Sequence, residues 1–218
     1  MSEVKFYEYC DTKNPKYLVI FLHGYGANGE NLINLAPEFT RVLPDAFFIS
    51  PNAIQPWEGG FPHAYQWFSL YGGIERKSLE SISGDIKNSN KILAQFIGDQ
   101  LKRLNLGYDK LFLIGFSQGA MMAIYQGLIS KEKIAGVVAF SGRVILPEML
   151  GEQTISKPDI CLIHGEADSV VPFHNFTEGK EILHENKIPF EGYSFTNLDH
   201  SIDFNGVRCA QKFIKKLA

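Results

Sequence analysis

The chain has 218 residues, 45% of them hydrophobic and 21% charged, with a formal net charge of -3; that is enough for one sizeable core and predicts one domain over residues 1–218. The slight acidic excess, without a concentrated basic face, excludes a nucleic-acid partner, and no apolar run approaches the roughly 20 residues that a membrane-spanning helix needs. Cys10, Cys161 and Cys209 have neither CxxC nor metal-type spacing, and Met1 to Lys5 lacks a basic stretch leading into an apolar one; both features point to a reducing, cytoplasmic location.

Val4 to Tyr9 alternates weakly, as an edge strand does, and Lys13-Asn14-Pro15 marks a turn. Tyr17 to Leu22 is continuously apolar, the pattern of a central strand covered on both faces. It runs into His23-Gly24-Tyr25-Gly26-Ala27-Asn28-Gly29, a glycine-rich loop past a strand's carboxyl end, where open α/β sheets keep their chemistry. In α/β-hydrolases such a loop lends one backbone N–H to an oxyanion hole, and Tyr25 is the residue expected to supply it. Leu32, Leu35, Ala36, Phe39 and Leu43 recur at helical spacing, which predicts a helix stopped by Pro44. Ala46 to Ser50 reads as the next buried strand. Residues 51–73 then carry prolines, glycines and the aromatics Trp57, Phe61, Tyr65, Trp67, Phe68 and Tyr71 with no periodicity. So long a structureless loop is expected to be functional, as a wall or flap for an apolar substrate, with Trp67 packing against the body.

Ile82, Ile86, Leu93, Phe96, Ile97, Leu101 and Leu104 mark a long amphipathic helix with a C-terminal cap at Asn105-Leu106-Gly107. Next, Leu111 to Ile114 is a short buried strand that meets Gly115-Phe116-Ser117-Gln118-Gly119 and passes at once into a helix-forming run, Met121 to Tyr125. Strand, Gly-x-Ser-x-Gly and helix together describe a nucleophile elbow. Glycines at 115 and 119 relieve the sharp turn, the Ser117 hydroxyl stands clear, and the helix N-terminus with the Gln118 N–H lies ready for a developing oxyanion. Ile134 to Phe140, Ile160 to Ile163 and Phe190 to Thr196 are further strands, alternating with helices around Phe176 to Leu183 and Val207 to Leu217. This alternation predicts an α/β fold: a mostly parallel central sheet, helices on both faces and no large cap domain.

An elbow serine needs a base and an orienting acid in the order Ser, acid, His. Asp168 and Glu166, a few residues past the strand at 160–163, both qualify on chemistry. Among the six histidines, His200 alone follows the last predicted strand and is the expected general base. His23 and His164, at strand ends, are expected to tighten turns. No HExxH-type spacing occurs, and the chemistry needs no metal or cofactor.

These segments together resemble the phospholipase/carboxylesterase family of small α/β-hydrolases, which includes acyl-protein thioesterases. The resemblance rests on Phe21-Leu22-His23-Gly24-Tyr25-Gly26, on Gly115-Phe116-Ser117-Gln118-Gly119, on His164-Gly165-Glu166-Ala167-Asp168-Ser169-Val170-Val171-Pro172 and on His200. It implies a triad of Ser117, Asp168 and His200, thereby choosing Asp168 over Glu166, and places Trp67-Phe68 beside an acyl pocket. Ala27 stands where the eukaryotic thioesterases carry aspartate, a feature similar to the bacterial branch, and Ser169 replaces the usual proline. The implied activity is hydrolysis of carboxylic esters or thioesters of acyl chains, on a small-molecule or lipid substrate. The aromatic loop is expected to touch a membrane transiently or to serve a homodimer. A peptidase or lactone hydrolase on the same fold, and a non-catalytic module that binds acyl lipid, are the alternatives.

Overall fold

The computed structural model describes residues 4–72, 75–78, 81–150 and 156–218; the first residues of the stretch read for a leader, and Gly73 at the end of the predicted loop, lie outside the described residues. Seven strands form one sheet: β1 (Phe6–Cys10), β2 (Tyr17–Leu22), β3 (Ala46–Pro51), β4 (Leu111–Phe116), β5 (Gly136–Phe140), β6 (Ile160–Gly165) and β7 (Phe190–Phe195). Their order is β1-β3-β2-β4-β5-β6-β7, antiparallel only where β1 meets β3. This is the α/β-hydrolase sheet that the alternation of strand and helix predicts.

Helices α1 (Gly29–Ile33), α2 (Ala36–Thr40) and α6 (Phe204–Leu217) cover one face, and α3 (Ser83–Leu104), α4 (Gln118–Ile129) and α5 (His174–Glu185) the other. The two layers explain why the central strands are apolar throughout. In β2, Leu18, Ile20 and Leu22 join the α3–α4–α5 layer, while Val19 and Phe21 join the α1–α2–α6 layer. Neither face of such a strand meets water.

Two expectations need correction. The helix read over Leu32 to Leu43 is two short helices. Pro37 occupies the second position of α2; inside a continuous helix it would remove a hydrogen bond and press its ring on the Ile33 carbonyl. Leu32, Ala36, Phe39 and Leu43 still bury in one layer, which is why their spacing looked uninterrupted. Nor are residues 51–72 structureless. Gln55–Pro56 pairs with Tyr65–Gln66, and Tyr71–Gly72 with Glu75–Arg76. Strands of two residues are too short to leave a periodicity. The Gly26 N–H donates to the Tyr65 carbonyl, and the Tyr65 N–H to that of Ala27, both at 2.9 Å. The aromatic segment is thus stitched to the glycine-rich loop after β2. The cap of α3 falls on Asn105, left-handed at φ 54, with its N–H bonded to the Leu101 and Lys102 carbonyls.

Candidate active site

Ser117 sits between β4 and α4 at φ 54, ψ -118, a conformation rare for a side chain other than glycine's, and is 8% exposed. A Cβ at Gly119 would overlap the Leu22 and His23 carbonyl oxygens, and one at Gly115 would overlap the Gly119 backbone. The elbow therefore rests on both glycines. As the first residue of α4, Gln118 has an N–H without an intrahelical partner. In the loop after β2, Gly26 and Ala27 direct their N–H groups to the Tyr65 and Gly24 carbonyls, and none of the hydrogen bonds among the described residues engages that of Tyr25.

Asp168 follows β6 and is 6% exposed. Its Oδ1 accepts the N–H groups of Val170 and Val171 at 2.9 and 2.8 Å, and its Oδ2 lies 2.8 Å from His200 Nδ1. His200, in the loop after β7, also packs on Phe116 with ring centroids 4.8 Å apart. Glu166, the other acid that the residues left open, turns outward to the hydroxyls of Ser194 and Thr196. Ser169, the departure from the family's proline, donates its N–H and hydroxyl to Asp199 Oδ1, each at 2.8 Å. It thereby braces the acid's loop against the residue next to His200, which proline, lacking both donors, cannot do.

Ser117, His200, Tyr25, Gln118 and Phe68 line a single cavity of about 730 Å³. Trp67 does not line it. That ring is 1% exposed behind the wall, lies against His23 with centroids 5.6 Å apart, and donates its Nε1–H to the His23 carbonyl. The Gln118 side chain holds this segment from the elbow side: Oε1 accepts the Trp67 N–H at 2.8 Å and Nε2 donates to the Phe68 carbonyl at 2.7 Å. Ser89 on α3 donates its hydroxyl to the Trp67 carbonyl.

Residue reading passed over Glu58 and Arg143. Glu58 accepts from the Tyr25 and Ser69 hydroxyls and from the N–H groups of Leu70 and Tyr71. Desolvation pushes its carboxyl up, but these hydrogen bonds outweigh it and hold the group below its ordinary range. Burial and the neighbouring Glu58 push the Tyr25 phenol up. Glu58 is the one carboxylate in residues 51–73, a signal that could have singled it out. Arg143, three residues past the end of β5, lines the cavity; a charged residue so close to a buried strand's carboxyl end was the corresponding hint.

His23 is fully buried. Nδ1–H donates to the Gly24 carbonyl and Nε2 accepts the Ala53 N–H. Burial lowers its pKa from 6.5 to about 4; burial likewise lowers that of His164, whose Nε2–H donates to the Val171 carbonyl. Between those limits the unfolded chain binds a proton at His23 that the fold does not, so stability is full above pH 6.5, declines as the pH falls from 6.5 to about 4, and levels off below that. The expected loss from His23 alone is about 3 kcal/mol. Urea denaturation at stepped pH should reveal it, and His23→Gln, whose Oε1 can still accept from Ala53, should flatten the slope. A profile with the same slope in that variant would contradict the assignment.

The profile of the phospholipase/carboxylesterase family matches residues 9–218. The chain belongs to that family. Among its relatives, acyl-protein thioesterase 1 of Neurospora crassa is 26% identical over 209 residues, 90% of this chain and 84% of that protein. Esterase YpfH of Escherichia coli is 30% identical over 175 residues, covering 78% and 70%. Among solved structures, that of esterase PE8 superposes with a TM-score of 0.91 at 32% identity, over 99% of this chain and 98% of the other.

Proposed function

We propose that the protein hydrolyses carboxylic esters or thioesters of acyl chains through an acyl-enzyme on Ser117. The observation that carries this reading is the 2.8 Å contact of Asp168 with His200 Nδ1, together with a cavity shared by His200 and the elbow serine. Ester hydrolysis is the chemistry of the family. With Nδ1–H directed to Asp168, His200 has Nε2 free to take the Ser117 proton as Oγ attacks the acyl carbonyl. The oxyanion is held by the N–H groups of Tyr25 and Gln118, each such donor being worth roughly 2.7–4 kcal/mol. His200 then protonates the departing alcohol or thiol, and water repeats the attack to release the acid and restore Ser117.

A cavity of about 730 Å³ suits a small molecule or one acyl chain. Tyr71 and Val170, exposed at its rim, form an apolar lip suited to transient contact with a lipid surface. Three unpaired thiols support a reducing, cytoplasmic location, and no helix among the described residues is long and apolar enough to cross a membrane.

The test is hydrolysis of p-nitrophenyl esters from acetate to palmitate and of an acyl-thioester, before and after treatment with a fluorophosphonate. Turnover should vanish as one equivalent of label accumulates on Ser117. Turnover that persists in fully labelled protein would overturn the reading. A peak at short chains would mean a general carboxylesterase, and a peak at long chains a lipid or lipidated substrate.

A further inference from the structure

Arg143 stands in the loop after β5, its Nε buried and without a hydrogen-bond partner among the described residues. None of the ion pairs among those residues includes it. A guanidinium is always charged, and when half buried it ordinarily finds a carboxylate. Beside it in the same cavity is Asn175, 4% exposed; its Nδ2 donates to the Pro172 carbonyl, while its Oδ1 is also unpartnered.

The charge lining the cavity is one-sided. Lys77 and Arg143 line it, and no aspartate or glutamate does among the described residues. The chain as a whole has 24 acidic residues against 21 basic ones, so an acid-free wall with two cations runs against its average. Lys77 reaches the Ser69 hydroxyl at 3.2 Å, which leaves Arg143 as the cation of this wall without a partner among the described residues. Met121, Val171 and Pro172, which line the same cavity, are apolar, and an apolar wall strengthens attraction between opposite charges inside it.

We propose that Arg143 anchors an anion subsite, and that the substrate is an acyl ester carrying a carboxylate or phosphate that pairs with its guanidinium while the ester carbonyl sits at Ser117. Arg143 is then a specificity-determining residue, and Asn175 Oδ1 accepts from a substrate hydroxyl or from the guanidinium once it is docked. The assignment rests on the ester-hydrolase reading above. The anion belongs either to the acyl half or to the alcohol half of the ester, and matched pairs distinguish the two.

The experiment compares kcat/KM for mono-p-nitrophenyl glutarate with p-nitrophenyl valerate, and for 1-butyrylglycerol 3-phosphate with 1-butyrylglycerol. Wild type, Arg143→Gln and Arg143→Lys are assayed at low and high salt. Wild type should favour the charged member of one pair at least 10-fold, chiefly through KM. Salt should weaken that preference, Arg143→Gln should abolish it, and Arg143→Lys should retain part of it. The pair that responds tells which half carries the anion. Turnover of the neutral esters with no charge preference, or a preference that survives in Arg143→Gln, would overturn the subsite and leave the esterase reading standing. Turnover of none of the four would overturn both.

Discussion

Replacing Asp168 by asparagine is expected to lower kcat by about 10,000-fold, with little change in KM and an intact fold. The asparagine Oδ1 can keep both N–H donors, Val170 and Val171, so the loop after β6 retains its shape. Its Nδ2 then takes the place of Oδ2, 2.8 Å from His200 Nδ1 and 3.4 Å from His164 Nε2. Facing an amide donor, His200 Nδ1 has to become the acceptor, which moves the ring proton to Nε2. An imidazole in that tautomer cannot take the serine's proton. Asp168 does not line the cavity, so substrate affinity has no direct reason to fall. Steady-state kinetics with a p-nitrophenyl ester, beside a thermal melt, provide the check. A kcat within tenfold of wild type would remove Asp168 from its proposed role.

The second large effect concerns the backbone. Gly119→Ala is expected to destabilise the protein by on the order of 3–5 kcal/mol, a large share of the stability of an ordinary domain. The three atoms nearest the added Cβ would all be main-chain, in the carbonyls of Leu22 and His23 at the end of β2. A flexible side chain could swing aside, but here α4 itself must move away from β2. That movement separates Ser117 from Tyr25, so any folded fraction should also lose activity by more than 100-fold, as displacement of about 1 Å does elsewhere. Gly84→Ala is the control, because a Cβ there meets nothing within 4 Å among the described residues, and near the start of α3 it should stabilise slightly. Soluble yield and melting temperature separate the two. A Gly119→Ala protein that melts within a few degrees of wild type would refute the packing argument.

Features with a local cause were legible in the amino-acid order. The Ser117 elbow is written in consecutive residues, because its turn demands small neighbours at fixed positions. His200 was legible by its place after the last strand. Asp168 was not separable from Glu166 on residues alone, since their difference lies in which partner each meets across the β6–β7 edge: His200 for one, Ser194 and Thr196 for the other. Glu58 collects donors from Tyr25, Ser69, Leu70 and Tyr71, and such convergence of distant chain segments leaves no periodic trace. Pro37 was visible, yet the apolar spacing across it outweighed the break in the reading, because α1 and α2 bury their residues in the same layer. Trp67 and Phe68 are adjacent but face different surroundings, one the body and one the cavity.

Gln118, Glu58 and Ser89 hold the segment from Trp67 to Tyr71 chiefly by its peptide groups: the N–H groups of Trp67, Leu70 and Tyr71 and the carbonyls of Trp67 and Phe68. Every amino acid except proline offers the same pair of groups. The side chains of Phe68, Leu70 and Tyr71, which line the cavity and make none of these bonds, can therefore be exchanged while the wall keeps its path, so the shape offered to a substrate can change without disturbing the serine, the histidine or the acid.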